Sequence, residues 1–316
     1  MEVANKPYLH DPLHCTCCGN TDPALFSDKW NKNGYAVGEC RRCSFVFVPW
    51  HYRKDITYTD YKDEAVLRQV RAGNDWLKVQ RHLLRYQLIR RYKKSGRLFD
   101  LGAGWGHFLL AGKQLGYDVY GIEISLNPYL YAKEDLKLPV DHIDFFKMPF
   151  EKESFDLITM WDVLEHIDEA NSFVAKCAGM LKKGGYLILQ VPQVDSFIAR
   201  QQQDNWNMIG LDHVNYFSKK TIRIFLEKHG LEVIKIKSSI ELKLLLMYTI
   251  LPWYRKIRGR KKEAITSAER QEFYNKTTQR PKWQLRIFVF FHNLLYNVLS
   301  FLNIGEEMIV IARKKA

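Results

Sequence analysis

Three glycines at alternate positions, Gly102, Gly104 and Gly106, follow Asp100 in the run RLFDLGAGWGHF and precede a second acid, Glu123, in YGIEIS. Glycine carries no Cβ, so backbone amides at such a turn, and the helix N-terminus beyond it, can approach a ligand closely. An acid ending the next strand about twenty residues on can accept from both hydroxyls of a ribose, and Glu123 stands where that acid belongs. The third glycine comes one residue too early for the G-x-G-x-x-G of dinucleotide sites, and Asp100 would sit badly beside a pyrophosphate. The pattern suits a cofactor whose near end carries an ammonium and a sulfonium. S-adenosylmethionine is such a cofactor.

A second constellation lies near the start of the sequence. Cys15-x-x-Cys18 and Cys40-x-x-Cys43 are two paired knuckles separated by twenty-one residues, a spacing that lets four thiolates meet one structural zinc ion tetrahedrally. Four protein ligands leave no open position, so the ion would hold the module together and do no chemistry. Cys17 is surplus: it could replace a ligand, face solvent or be a reactive thiol. Cys177, on a helix-like run, reads as a buried small side chain. The opening MEVANKPYLHDPLH shows no basic start followed by an apolar stretch, so the expectation is a cytoplasmic protein with reduced thiols.

Two histidines are candidates for taking a proton from an acceptor hydroxyl, His213 in LDHVNYF and His166 in DVLEHID. The alternative for each is a loop tether, and Glu165 reads as structural. Asn215 and Tyr216 could orient an acceptor, and the polar, aperiodic QVDSFIARQQQDNWNMIG reads as a lid or substrate loop.

These residues need elements to position them. From Arg97 to about Ser239, strand-like runs such as RLFDLG, YDVYGIEI, FDLITMW and YLILQVP alternate with helical stretches, the rhythm of a parallel sheet covered by helices. The helix KKTIRIFLEKHG should stop at Gly230, and EEMIVIARKK returns to a strand pattern. The domain reading is a zinc-ribbon module over 1–55, a helical linker over 56–95 and an α/β domain over 96–316, with a helical insertion at about 240–303.

In chain order, DLGAGWGHF, GIEIS, HIDFFKMPFEKESFDLITMWDVLEHI, MLKKGGYLILQVP and HVNYFSKKTIRIFLEKHGLEV resemble the motifs of class I S-adenosylmethionine-dependent methyltransferases, over roughly half the chain. The resemblance implies a doubly wound, seven-stranded, mostly parallel Rossmann-like sheet whose last strand inserts antiparallel. It implies a cofactor held by Asp100, Gly102, Ala103, Gly104, Gly106, Glu123 and Ile124, with Asp144 and Phe145 at the adenine and Met160 and Trp161 beneath the methionine moiety. Trp105 is left between ordinary packing and covering the cofactor. A short zinc ribbon before such a core occurs in bacterial enzymes that methylate sugars, surface glycans or polyketide-like intermediates, so O-methylation of a small, glycan-linked or lipid-linked acceptor is the expected reaction. It also occurs in some ribosomal RNA enzymes. Against an RNA substrate, there is no Asn-Pro-Pro-Tyr-like tetrapeptide and no pair of catalytic cysteines. A non-catalytic cofactor-binding subunit is the second rival.

The formal charge is +13, and +8 of it falls within 251–286; the run from Lys78 to Arg97 holds eight basic residues and no acid. Such surfaces attract phosphate, whether in nucleic acid, anionic lipid or a nucleotide-linked substrate. The apolar runs of the insertion fall short of a membrane span but, flanked by Arg and Lys, suit a helix lying at an anionic membrane surface through 243–300. The other reading is a helical cap packed on the core or against a second copy in a homodimer.

Overall fold

A computed structural model of the chain describes residues 14–32, 34–53, 64–71, 73, 75–149, 151–239, 298, 301–302 and 305–315. The insertion expected at about 240–303, and with it the membrane and dimer readings, lies outside the described residues apart from Val298, Phe301 and Leu302. No helix among the described residues is long and apolar enough to cross a membrane.

The N-terminal part forms three antiparallel strands, β1 (Phe26–Lys32), β2 (Tyr35–Cys40) and β3 (Phe45–Phe47). Beyond them lie α1 (Trp50–Arg53), α2 (Glu64–Arg71) and α3 (Asp75–Ile89). A central sheet then follows, built from β4 (Arg97–Leu101), β5 (Asp118–Ile122), β6 (Val140–Asp141), β7 (Phe155–Trp161) and β8 (Leu181–Pro192), all pairing in parallel. β9 (Asn215–Tyr216) leaves this sheet, while β10 (Leu231–Ser239) and β11 (Glu307–Lys314) rejoin it, β11 running antiparallel to both β8 and β10. The order β10-β11-β8-β7-β4-β5-β6 makes seven strands, as expected, with the reversal of winding between β4 and β7. In open sheets of this kind ligands bind outside the carboxyl ends of the strands at such a reversal.

Side-chain alternation along the strands feeds a core on each face. On β4, Leu98 belongs to one buried cluster and Phe99 and Leu101 to the other. One face is covered by α3 and α4 (His107–Gln114): the Tyr86 ring stacks on Phe108 with centroids 4.6 Å apart and lies 5.3 Å from Tyr117. The other face is covered by α6 (Ala170–Met180) and α8 (Lys219–Glu227), which bring Phe173, Cys177, Phe225 and Leu226 against Phe99 and Phe155. α8 begins at Ser218, whose hydroxyl accepts from Thr221 N while Thr221 Oγ1 accepts from Ser218 N, a capping box that fixes the start of the helix. Gly230, with φ +75°, ends the stretch as its type predicts.

The N-terminal strands do not stand alone. β9 pairs with β3 and completes a four-stranded sheet, β1-β2-β3-β9, so the ribbon borrows a strand from the chain that follows β8. The segment expected to be a lid also packs here. It forms α7 (Phe197–Gln202) and buries Trp206, 0% exposed, with Ile198 and Ile209 against Val37, Val46 and Tyr216. The polar run that looked aperiodic conceals scattered apolar anchors, Val194, Ile198, Ala199, Trp206 and Ile209, and these seat it on the ribbon.

Candidate cofactor and acceptor site

The glycine turn lies at the carboxyl end of β4. All three glycines have left-handed backbone, with φ +70° at Gly102, +53° at Gly104 and +77° at Gly106. A Cβ on Gly106 would stand 2.8 Å from Leu138 and 2.9 Å from Ala132, and one on Gly102 would stand 2.8 Å from Val163. Nothing lies within 4 Å of that position at Gly104, so this glycine, alone of the three, has open space where a side chain would stand. Gly106→Ala is therefore expected to cost about 3 kcal/mol of stability, from backbone strain plus overpacking. Gly104→Ala should cost only about 1 kcal/mol yet weaken S-adenosylmethionine binding by about tenfold or more, because its methyl group enters the ligand's path. Thermal melts and calorimetry on the two variants check the contrast.

Glu123 is buried at the end of β5 and spans the turn: its Oε2 accepts from Gly104 N and its Oε1 from Ser125 N, both at 2.7 Å. The carboxylate is thus oriented by two backbone amides, and each oxygen retains a lone pair for a further donor. Ile124 beside it is 66% exposed, an apolar side chain held out at the rim where a ring could lie.

Asp100 is 1% exposed and pairs in register with Thr159 on β7, whose Oγ1 donates to Asp100 Oδ1 at 2.5 Å. Burial pushes the Asp100 carboxyl up to about 8, opposed by the Thr159 hydrogen bond and by Arg85. Below that pH the free protein keeps this carboxyl protonated, whereas the ammonium of the cofactor favours the carboxylate. Affinity should therefore rise by about tenfold per pH unit toward pH 8, then decline as the cofactor's own amine loses its proton. Stability runs the other way. An unfolded Asp titrates near 3.9, so between about pH 4 and 8 the folded state carries the extra proton and loses stability as pH rises. Asp100→Asn should flatten both slopes, raising the melting temperature of the free protein at pH 8 while abolishing tight cofactor binding; melts and calorimetry across pH 6 to 9 test this.

The remaining expected cofactor residues sit around this turn with differing exposure. Ala103 is buried, its N–H donating to Ile122 O at 2.9 Å. Asp144 is half-buried, and its Oδ1 accepts from Phe146 N at 2.8 Å, which fixes the carboxylate at the start of a turn. The Phe145 ring points into the core, 4.6 Å from Phe173 and 6.2 Å from Phe99. Its neighbour Phe146 is the exposed ring of the pair, at 44%. Met160 is fully buried within β7. Trp161, half-buried at the strand end, packs 5.1 Å from Phe108 under the Arg85 guanidinium, which lies 4.1 Å from its ring centroid.

Two residues at this edge escaped sequence reasoning. Arg85 belongs to the basic run, yet it shares an inward helix face with His82, Tyr86 and Ile89 and reaches Trp161 and Gln190 Oε1. Asp75 at the start of α3 accepts from His107 Nε2 at 2.8 Å and from Tyr131 OH at 2.7 Å, and the Tyr131 ring meets Trp105 edge-on at 5.8 Å. Their helical spacing was the available signal; the charge count obscured it.

On the acceptor side the structure brings His166 and His213 together, ring centroids 4.6 Å apart. His166 Nδ1 donates to Asp212 O at 2.7 Å and His213 Nδ1 to Met208 O at 2.8 Å. Burial, then His166, pushes the His213 pKa down, so its ring is neutral near pH 7. Glu165 is 1% exposed beneath them. Asn215 and Tyr216, expected to orient an acceptor, are fully buried instead. Asn215 Nδ2 donates to Ile167 O at 2.7 Å, and Tyr216 OH donates to Gly210 O at 3.0 Å, so both brace the loops that carry the histidines.

The four cysteines of the two knuckles converge, their sulfurs all within 4.8 Å of one another, with Cys15 to Cys43 at 3.6 Å and Cys18 to Cys40 at 3.8 Å. A tetrahedral zinc with Zn–S bonds of about 2.3 Å requires sulfur separations of about 3.8 Å, so the donor set fits the ion. Gly19 and Ser44, each four residues after its first cysteine, share φ near +70°, at +70° and +69°, which gives the knuckles matching turns. Cys17 is wholly buried beside Cys43, and its thiol donates to Thr221 O at 3.4 Å.

The model of a family described as "Methyltransferase domain" matches residues 76–236. Over 97 residues the chain is 29% identical to a ubiquinone biosynthesis O-methyltransferase of Bradyrhizobium, covering 29% of this chain and 38% of that protein. Over 110 residues it is 33% identical to the protein of the same name from Nitrosococcus oceani, covering 32% and 47%. The chain thus spans less than half the length of these curated relatives. Among solved structures, phosphoethanolamine N-methyltransferase 2 of Haemonchus contortus, in complex with S-adenosyl-L-methionine, aligns with TM-score 0.50 and 18% identity over 85% of this chain and 61% of that one.

Proposed function

Because the chain belongs to the Methyltransferase domain family, we propose that it transfers a methyl group from S-adenosylmethionine to a hydroxyl of a small, glycan-linked or lipid-linked acceptor. The observation that carries the reading is the carboxylate of Glu123 held on Gly104 N and Ser125 N beside a left-handed glycine with open space before it. When bound, the cofactor supplies a methyl group on a positively charged sulfur. Asp100 holds the ammonium, Glu123 the ribose and Ile124 one face of the adenine, with Asp144 at its edge. Phe145 contributes backbone and core packing there, Met160 shapes the pocket floor and Trp161 closes it. His213, neutral and tethered, takes the proton of the acceptor hydroxyl, with His166 packed against it to set its orientation. Cys15, Cys18, Cys40 and Cys43 hold a structural zinc ion that fixes the ribbon. The O-acceptor reading gains support from the names of the two curated relatives, and the sugar, glycan or polyketide class from the ribbon placed before the core.

The test is incubation with methyl-labelled cofactor and, separately, soluble sugar nucleotides, a membrane lipid extract and total RNA. Label in the first or second fraction, stable to base as an ether is, supports the reading. Label in RNA alone overturns it.

A further inference from the structure

We propose that Glu165, His166 and His213 form a second metal site, distinct from the cysteine cluster, which binds a divalent transition-metal ion and through it an acceptor with two neighbouring oxygens. This deepens the reading given under Proposed function and rests on it for the acceptor alone. One ligand atom from each of the three residues lies within 4.8 Å of the other two, so a shift of about an ångström brings them to the separations that bonds of about 2.1 Å require.

The second shell already has the form a metal site needs. Each histidine gives its Nδ1 to a backbone carbonyl, His166 to Asp212 O and His213 to Met208 O. A carbonyl only accepts, so the proton sits on Nδ1 and the neutral ring carries its lone pair on Nε2. Metal-bound histidines are fixed in this way, by donation of the other ring N–H to an acceptor. Glu165 is 1% exposed, and its Oε2 has no hydrogen-bond partner among the described residues, a cost that a cation would remove.

The backbone around the trio is held from several sides. Val214 N donates to Glu165 O at 2.8 Å, which ties the residue after His213 to Glu165, and Asn215 Nδ2 binds Ile167 O. Asp162, at the end of β7 with φ +59°, adds a further carboxylate to the same edge. Two imidazoles and one carboxylate favour Mn²⁺, Fe²⁺, Co²⁺ or Zn²⁺ and leave positions open for exogenous oxygens. A vicinal diol or an ortho-diphenol would fill two of them, and the charge of the ion would lower the pKa of the bound hydroxyl. With the ion bound, both histidines are its ligands and the proton of the bound hydroxyl leaves to solvent, so the ion replaces His213 in the proton-removing role given to it under Proposed function.

Mn²⁺ is the probe, because a hard ion leaves the thiolate site to zinc. Titration of the zinc-replete protein, followed by electron paramagnetic resonance, should give one Mn²⁺ per chain with a Kd below about 100 μM. His166→Ala and His213→Ala should each weaken binding by about tenfold or more. Calorimetric affinity for S-adenosylmethionine, read in parallel, should stay within about threefold in both variants, which reports that they are folded. No Mn²⁺ bound at millimolar concentration, or unchanged binding in both folded variants, overturns the site. Should His213→Ala fail to fold, His166→Asn gives the same reading. Failure of the wild type to bind S-adenosylmethionine would sink the methyl-transfer reading and leave the Mn²⁺ result standing by itself.

Discussion

Replacing Glu123 with alanine is expected to raise the dissociation constant for S-adenosylmethionine by about a hundredfold or more. A buried carboxylate that accepts from two ribose hydroxyls makes two charge-assisted hydrogen bonds, each worth about 1.5–3 kcal/mol, and every 1.4 kcal/mol is a factor of ten. The same oxygens hold Gly104 N and Ser125 N at 2.7 Å in the free protein. Alanine would therefore also release the glycine turn, adding the disorder of that loop to the lost contacts. Glu123→Gln keeps one acceptor oxygen and should fall between the two. Calorimetry with the cofactor and its demethylated product reads all three proteins, and an affinity for Glu123→Ala within threefold of wild type would remove the ribose role.

Disrupting the zinc site proposed at Cys15, Cys18, Cys40 and Cys43 is the second large expected effect. Cys40→Ser, or extraction of zinc by a strong chelator, should lower the melting temperature by about 10 °C or more, because a structural metal contributes its binding energy to folding. The damage should reach the acceptor side through β9: Val46 pairs with Tyr216 and Phe47 with Asn215, and His213 lies two positions before Asn215. Turnover is expected to fall by about a hundredfold while cofactor affinity changes by less than about threefold, since the glycine turn lies across the sheet on β4 and β5. Metal analysis, melts, calorimetry and rate measurements on one preparation test this. Equal loss of cofactor affinity and turnover would indicate general unfolding and would contradict the selective coupling.

The parts legible in the sequence were those whose chemistry demands particular residue types close together. Left-handed turns at Gly102, Gly104 and Gly106 tolerate little else, thiolate pairs need their two-residue gap, and the strand at Arg97–Leu101 carries its apolar pattern locally. Burial by long-range packing left weaker traces. Arg85 reads as one more surface cation until α3 is laid on α4, and Trp206 sits within a polar string because its partners Trp30 and Val37 come from the distant N-terminal strands. β9 contains two residues, too few to show any period, and its pairing with β3 depends on contacts between positions about 170 apart in the chain. Asn215 and Tyr216 were expected at the acceptor because polar side chains beside a histidine suggest recognition. Their carbonyl partners, Ile167 and Gly210, turn them into braces.

The shared strand has a practical consequence for anyone dividing this protein. Removing the first fifty residues would strip β9 of its partner strand β3 and uncover Trp206, Ile209 and Phe217, an apolar edge ready to recruit other molecules. Shortened chains should precipitate during expression, and grafting the cysteine-bearing hairpin onto another enzyme would succeed only if the recipient supplied a matching ledge at the same place.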